Sequence, residues 1–364
     1  MDRVHNFSAG PAALPLPVLE EAQRDLVCYP GAGASVMEIS HRSKAFAEIH
    51  ERAKNNIKTL FGLGDTHHVL FLQGGASFQF SMLAANFLRG SGKTAEYVLS
   101  GAWADKAVKE AKKEGETRVI WSDKDNNFRR MPGQKELKIG ADAAYLHITS
   151  NETIQGIEFQ YDPDTGGVPL ICDASSNMMS RPVDLAKYAL YYGGAQKNVG
   201  PSGVAVAILR NDMLERVPQG LHSLMDYKLM AQNDSLYNTP PAFGVYMIML
   251  TTKWMIETIG GLDKMLARNR KKAQRLYDAI DASAGFYKGH ASVESRSLMN
   301  VTWTLANAEL EGAFLQQAKA NRLHELKGHR SVGGIRASIY NACEPETVEA
   351  LADFMDDFRA RNGG

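Results

Sequence analysis

The chain has 364 residues, 41 basic and 41 acidic, and a formal net charge of zero, with 44% apolar and 23% charged residues. Those proportions exclude a disordered, collagen-like or low-complexity chain, allow two domains around a large core, and give no general attraction to nucleic acid or an anionic membrane surface. Three scattered cysteines, Cys28, Cys172 and Cys343, make neither a disulfide framework nor a Cys-x-x-Cys metal pair, and no signal-type stretch or run of ~18 apolar residues occurs, so a cytoplasmic protein without a metal is expected.

Residues 1–15, rich in Gly, Pro and Ala, read as an extended arm. "LPVLEEAQRDLV" has helical character, and Phe46, Ile49, Ala53, Ile57 and Leu60 trace one face of a second helix. Residues 68–72 form a short buried run that ends at Gly74-Gly75, and a helix is predicted from Phe78 to Leu88. His67 and His68 open that run and are expected to cap it or face solvent. Strands are then predicted at Tyr97–Leu99, Arg118–Trp121, Tyr145–Ile148, Leu170–Cys172, Tyr188–Tyr192 and Val204–Leu209, with a charged helix at Trp103–Lys113. Short strands buried on both faces and separated by helices describe a mostly parallel sheet with helices on either side. From Phe243 to about Ile280 the pattern is helical and broken at Gly260-Gly261, a plausible domain boundary. The remainder reads strand, helix, strand, helix. The expected organisation is an arm (1–15), a large domain (16–259) and a small C-terminal α+β domain (260–364).

Chemistry concentrates at the ends of these strands. Lys197, in "GGAQKNVGPSG", lies in a glycine-rich loop between two predicted strands. An ammonium is costly to bury, and lysines that attack carbonyls need such surroundings to be neutral; an ordinary surface-loop lysine is the alternative. Asp173 ends an apolar strand, at the edge where open α/β sheets bind ligands, though an aspartate there can also cap a helix or form a turn. An aspartate paired with a Schiff-base lysine is what an electron-sink pyridine cofactor requires. Gly74 and Gly75 lead into a helix beginning Ala76-Ser77, either a phosphate cradle or a structural turn. Trp103, after another strand, could stack on a cofactor ring or serve packing.

"NFSAGPAALP", "SHRSKAF", "GGASFQF", "SGAWADKA", "NETIQG", "DASSN", "GAQKNVGPSG", "YNTPPAF" and "GHRSVGGIRASIYNA" together resemble the phosphoserine aminotransferase family over essentially the whole chain. The resemblance implies an α/β, fold-type-I pyridoxal-phosphate transferase. Its large domain holds a mostly parallel sheet of seven-stranded type flanked by helices, with a small α+β domain attached. It implies a homodimer with active sites at the interface that moves an amino group between L-glutamate and 3-phosphohydroxypyruvate. It further implies Lys197 as the Schiff-base lysine, Asp173 on the pyridine nitrogen and Trp103 stacked on the ring. Ala76, Ser77 and Gln196 would hold the cofactor phosphate, Thr153 would touch the 3'-oxygen side, and Asn238 and Thr239 would reach the phosphate from the partner subunit. Arg336 would take the α-carboxylate, with His41, Arg42, His329 and Arg330 around the substrate phosphate, some of them across the interface. Some family members carry an arginine where Ser77 stands here. The family often also serves a phosphorylated ketoacid of the pyridoxine route. The rival readings are another fold-type-I reaction, either a cysteine desulfurase with only Cys343 for its thiol or a different small-substrate aminotransferase, and a catalytically silent pyridoxal-phosphate carrier or dimeric scaffold.

Two lookalikes are set aside. "GLGDTH" (62–67) precedes its strand and lacks the third glycine of a dinucleotide fingerprint. "HELKGH" (324–329) spaces its histidines five apart, off a single helical face.

Overall fold

A computed structural model describes residues 3–363; Met1 and Asp2 of the predicted arm and Gly364 lie outside the described residues. The arm carries β1 (His5–Asn6). In α1 (Leu16–Asp25), Pro17 sits in the first turn, where a missing N–H costs nothing. In α2 (Lys44–Phe61), the Ser43 hydroxyl accepts from the Phe46 amide, and Gly62 ends the helix in the left-handed conformation. Its buried residues include Phe46, Ile49, Ala53 and Ile57, the face the spacing predicts. Next come β2 (His67–Gln73), α3 (Gly75–Phe87), β3 (Ala95–Leu99), α4 (Ala102–Ala111) and β4 (Thr117–Ser122). β5 (Leu146–Thr149) precedes a hairpin of β6 (Asn151–Glu152) and β7 (Ile157–Glu158), followed by β8 (Leu170–Asp173), β9 (Leu190–Gly194) and β10 (Val204–Arg210). After α5 (Tyr227–Gln232), α6 (Ala242–Trp254) widens into a π-helical turn before Gly260, and α7 (Leu262–Asp281) begins beyond it. The chain closes with β11 (Lys288–Gly289), β12 (Asn300–Thr304), α8 (Ala308–Ala320), β13 (Leu323–His324), β14 (Ile335–Ser338) and α9 (Pro345–Asn362).

Seven strands form the main sheet in the order β2-β10-β9-β8-β5-β3-β4. The run from β9 to β4 is parallel, whereas β10 is antiparallel to both of its neighbours, so β9 and β10 form a hairpin around the Lys197 turn. Helices cover both faces: α1, α2 and α6 pack on one, α3, α4 and α5 on the other, each with its own apolar cluster. A third cluster joins β12 and β14 to α7, α8 and α9. The arm belongs to that third body by packing, since β1 pairs with β13 and Phe7 is buried there.

Three local readings change. α3 starts at Gly75, one residue before the helix start read at Ala76-Ser77 and three before the Phe78–Leu88 stretch, because Gly74 adopts φ 83° as its N-cap; a Cβ there would lie 2.6 Å from that of Phe78. β4 is a partly exposed edge strand, not one buried on both faces. His67 is buried, with Nδ1 2.9 Å from the Thr66 hydroxyl, instead of facing solvent.

Candidate active site

The parallel arrangement brings the carboxyl ends of β2, β3, β5, β8 and β9 to one edge of the sheet, where open α/β folds bind ligands. Lys197 stands in the turn after β9. Its Nζ donates to Thr153 Oγ1 at 2.7 Å and lies 5.2 Å from the centre of the Trp103 ring. Burial lowers the amine to about 8, opposed by the Asp173 and Glu152 carboxylates and reinforced by Arg336. Such an amine is neutral often enough to attack a carbonyl. The arm passes over it: the Ala12 amide donates to the Gln196 carbonyl at 2.8 Å, and a Cβ on Gly10 would lie 3.5 Å from Lys197 Cγ.

Asp173 ends β8 and is buried. Its Oδ1 accepts from the Ser175 amide at 2.9 Å and hydroxyl at 2.6 Å, while Oδ2 has no hydrogen bond among the described residues. Burial raises the carboxyl, countered by Lys197 and then by Ser175. One oxygen is therefore fixed, and the other is available to a protonated nitrogen.

Trp103 lies in the first turn of α4, and its Nε1 is buried without a partner. Its amide donates to Glu152 at 3.1 Å and that of Ala104 at 2.9 Å, so a carboxylate on β6 caps a helix that has no side-chain cap of its own. Glu152 is fully buried, and burial pushes it up to about 7. Sequence reasoning missed it. The signal available was an acid inside the otherwise apolar and amide-bearing "NETIQGI" stretch.

Ala76 and Ser77 occupy the first turn of α3, whose amides lack intrahelical acceptors and a side-chain cap. Gln196 Oε1 is buried without a partner, and Gly194 makes room for it, since a Cβ would lie 2.6 Å from that oxygen. Asn238 lines a cavity of about 230 Å³ with Gly74 and Phe78, and the Gln73 side chain donates to the Thr239 carbonyl at 3.1 Å. Both residues thus stand at the end of β2 in their own chain.

Arg336, on β14, is half-buried and has no acidic partner among the described residues; burial lowers its affinity for a proton, with only Tyr340 opposing. His329 shares a tight loop with Arg330, where Gly328 approaches Gly333 so closely that a Cβ would lie 2.0 Å from its carbonyl oxygen. His329 Nδ1 is 2.7 Å from the Ser331 hydroxyl, and burial, Arg336, Arg330 and Lys106 all depress its proton affinity. Lys106, also missed in the sequence, holds its Nζ 4.1 Å from the centre of the Trp103 ring. His41 and Arg42 are not gathered here within one chain. They precede α2, and His41 lines a surface cleft with Met37, Ser202 and Thr239. Residues 324–329 form a strand and a loop rather than a helix. Cys343 is buried in the third apolar cluster and its thiol is pushed up to about 11, which leaves no reactive thiolate for desulfurisation.

This set fits pyridoxal phosphate. The neutral amine would suit an aldehyde, the free carboxylate oxygen a ring nitrogen, the indole a ring face, and the unpaired α3 amides with the Gln196 Nε2 donor a phosphate.

The model of the class-V aminotransferases matches residues 4–351. The phosphoserine aminotransferase of Desulfatibacillum aliphaticivorans is 54% identical over 363 residues, covering 100% of this chain and 99% of that protein. The solved structure of the protein of the same name from Bacillus circulans subsp. alkalophilus superposes with a TM-score of 0.97 at 51% identity, covering 100% of both chains. A structure described as radiation damage of the Schiff base in phosphoserine aminotransferase matches with a TM-score of 0.96 at 46% identity, over 99% of this chain and 100% of that one.

Proposed function

Because the chain belongs to the class-V aminotransferase family, we infer that it is a pyridoxal-phosphate-dependent transaminase exchanging an amino group between L-glutamate and 3-phosphohydroxypyruvate. The products are 2-oxoglutarate and O-phospho-L-serine, the latter a precursor of L-serine. The observation that carries this reading is the Lys197 amine, depressed to about 8 and set between the Asp173 carboxylate and the Trp103 indole.

When bound, the cofactor supplies an electrophilic carbon and an electron-accepting ring. Lys197 is the residue to hold it and, once its amine is released, to carry a proton to and from the substrate Cα. Thr153 Oγ1, 2.7 Å from Nζ, orients that amine. Asp173 keeps the ring nitrogen protonated through its free Oδ2, while Ser175 holds Oδ1. Trp103 supports the ring, and Ala76, Ser77 and Gln196 hold the phosphate. Arg336, unpaired and half-buried, takes the α-carboxylate by its planar fork. His329 and Arg330 face the distal phosphate, or the side-chain carboxylate of glutamate.

His41, Arg42, Asn238 and Thr239 are assigned to the site of a second copy. Exposed apolar residues accompany them: Met37 is 63% exposed, Leu224 46% and Tyr237 45%, as suits a face covered in a homodimer. The working unit is then a dimer with composite sites, in which residues 16–259 bind cofactor and residues 260–364 close over substrate. Among the described residues no helix is long and apolar enough to cross a membrane, and with free cysteines a cytoplasmic location is the natural assignment.

The test is a coupled assay of purified holoenzyme with glutamate and 3-phosphohydroxypyruvate, the phosphorylated ketoacid of the pyridoxine route, or unphosphorylated hydroxypyruvate. A marked preference for the phosphorylated acids is expected, and Lys197→Ala should abolish turnover and the visible absorbance of bound cofactor. Equal rates with and without the phosphate would refute the substrate assignment.

A further inference from the structure

We propose that Lys106 is a substrate-recognition residue: its ammonium binds the distal phosphate of the ketoacid and sets the preference for phosphorylated over unphosphorylated substrate. The inference rests on the reading of the substrate as a phosphorylated ketoacid.

Three observations place the charge. First, Lys106 follows Trp103 by three residues on α4, so both side chains share a helix face, and the indole holds Nζ 4.1 Å from its ring centre. Lys197 Nζ lies 5.2 Å from the centre of the same ring, so one indole is close to both amines. Second, Lys106 is exposed yet has no acidic partner among the described residues. Lys109, on the same helix, is paired with Asp105 at 2.5 Å. Third, the field of Lys106 reaches His329 together with those of Arg336 and Arg330, and none of these arginines is ion-paired among the described residues. α4 and the loop before β14 line one cleft through Asp105, Ser331 and Val332, and with the Asp105 carboxylate taken up by Lys109 the two bodies bring like charges together there. A dianion resolves that repulsion.

Lys106 stands level with the first turn of α3. α3 and α4 follow parallel strands and pack side by side, with the Ser81 hydroxyl donating to Glu110 at 3.0 Å. One turn earlier on each helix stand Ser77 and Lys106. At this level α3 offers only a hydroxyl and amides, and Lys106 supplies the fixed positive charge.

The experiment compares full-length holoenzyme with its Lys106→Met and Lys106→Arg variants. It measures kcat/KM for 3-phosphohydroxypyruvate and for hydroxypyruvate with glutamate as donor. In Lys106→Met the ratio of the two should fall about tenfold, mostly through KM of the phosphorylated acid, as expected for loss of a charge-assisted contact. Lys106→Arg should restore most of the ratio. Inorganic phosphate, as competitive inhibitor, should weaken by a similar factor. An unchanged ratio, or an equal loss on both ketoacids as from a loosened Trp103, overturns the proposal. Unaltered enzyme that shows no phosphate preference overturns the substrate reading itself, which the same assay reveals separately.

Discussion

Glu152 shows how much of the site depends on a single side chain that caps a helix. Its two oxygens take the amides of Trp103 and Ala104, and Gly101 is required beside it because a Cβ would come within 2.5 Å of its carboxyl carbon. Removing the carboxylate orphans two buried N–H groups and uncaps α4. Glu152→Ala should therefore destabilise the apo-protein by about 2 kcal/mol in urea unfolding and weaken cofactor retention, since Trp103 loses its anchor. Glu152→Gln has a different signature. The carboxylate raises the proton affinity of Lys197, so its loss lowers the amine further below about 8. The acid limb of the pH–rate profile, where the amine becomes protonated, should then move to lower pH; a shift to higher pH would contradict the assignment. Lys197, Asp173 and Trp103 were legible in the sequence because glycines or a strand end surround each. Glu152 was not, because its role exists only where the β6–β7 hairpin meets α4.

At the level of elements, hydrophobic runs placed every strand of the main sheet to within about two residues, because, the edge strand β4 apart, these strands are buried on both faces and have little freedom in composition. What the runs left unstated or misplaced fell where another force intervenes. The antiparallel sense of β10 follows from the short turn around Lys197, and no periodicity encodes it. The early start of α3 follows from a glycine cap. The sheet also buries polar groups that pattern analysis passes over. His147, on β5, is fully buried, with Nε2 2.8 Å from the Tyr192 hydroxyl, and burial lowers it to about 3 from its usual 6.5. The unfolded chain therefore takes up a proton between those values that the folded sheet refuses. The neutral imidazole costs nothing above about pH 6.5, and stability is lost as pH falls toward 3, by up to about 1.4 kcal/mol per unit. His147→Gln, which can still meet Tyr192, should flatten the decline of the apo-protein's unfolding free energy between pH 6 and 4. A slope unchanged from that of the parent would assign the acid sensitivity elsewhere.

Across the whole molecule, the Lys197 turn is tied to the third apolar body by side-chain amides. Asn198 Oδ1 accepts from the Asn341 amide at 2.9 Å, and the Asn341 side chain reaches the Met179 carbonyl and Asn269. The buried Lys272 ammonium donates to the carbonyls of Ile339, Tyr340 and Cys343, fixing the turn from which Asn341 projects. The chain thus aligns its own Arg336 with its own Lys197, but His41 and Arg42 sit before α2, His41 in a cleft with Thr239, and are not gathered into that site. Sequence reading could nominate these residues from their motif but could not say which copy of the chain they serve, since that depends on how two folded surfaces meet. A mixing experiment separates the cases. Lys197→Ala and Arg42→Ala homodimers should each be nearly inactive. If Arg42 acts across the interface, a hybrid dimer carries both defects in one site and neither in the other. Random reassociation of equal amounts should then recover about a quarter of the unaltered turnover, half the dimers being hybrids with one intact site each. If Arg42 serves its own chain, every hybrid site keeps one defect, and the mixture stays as inactive as its parents.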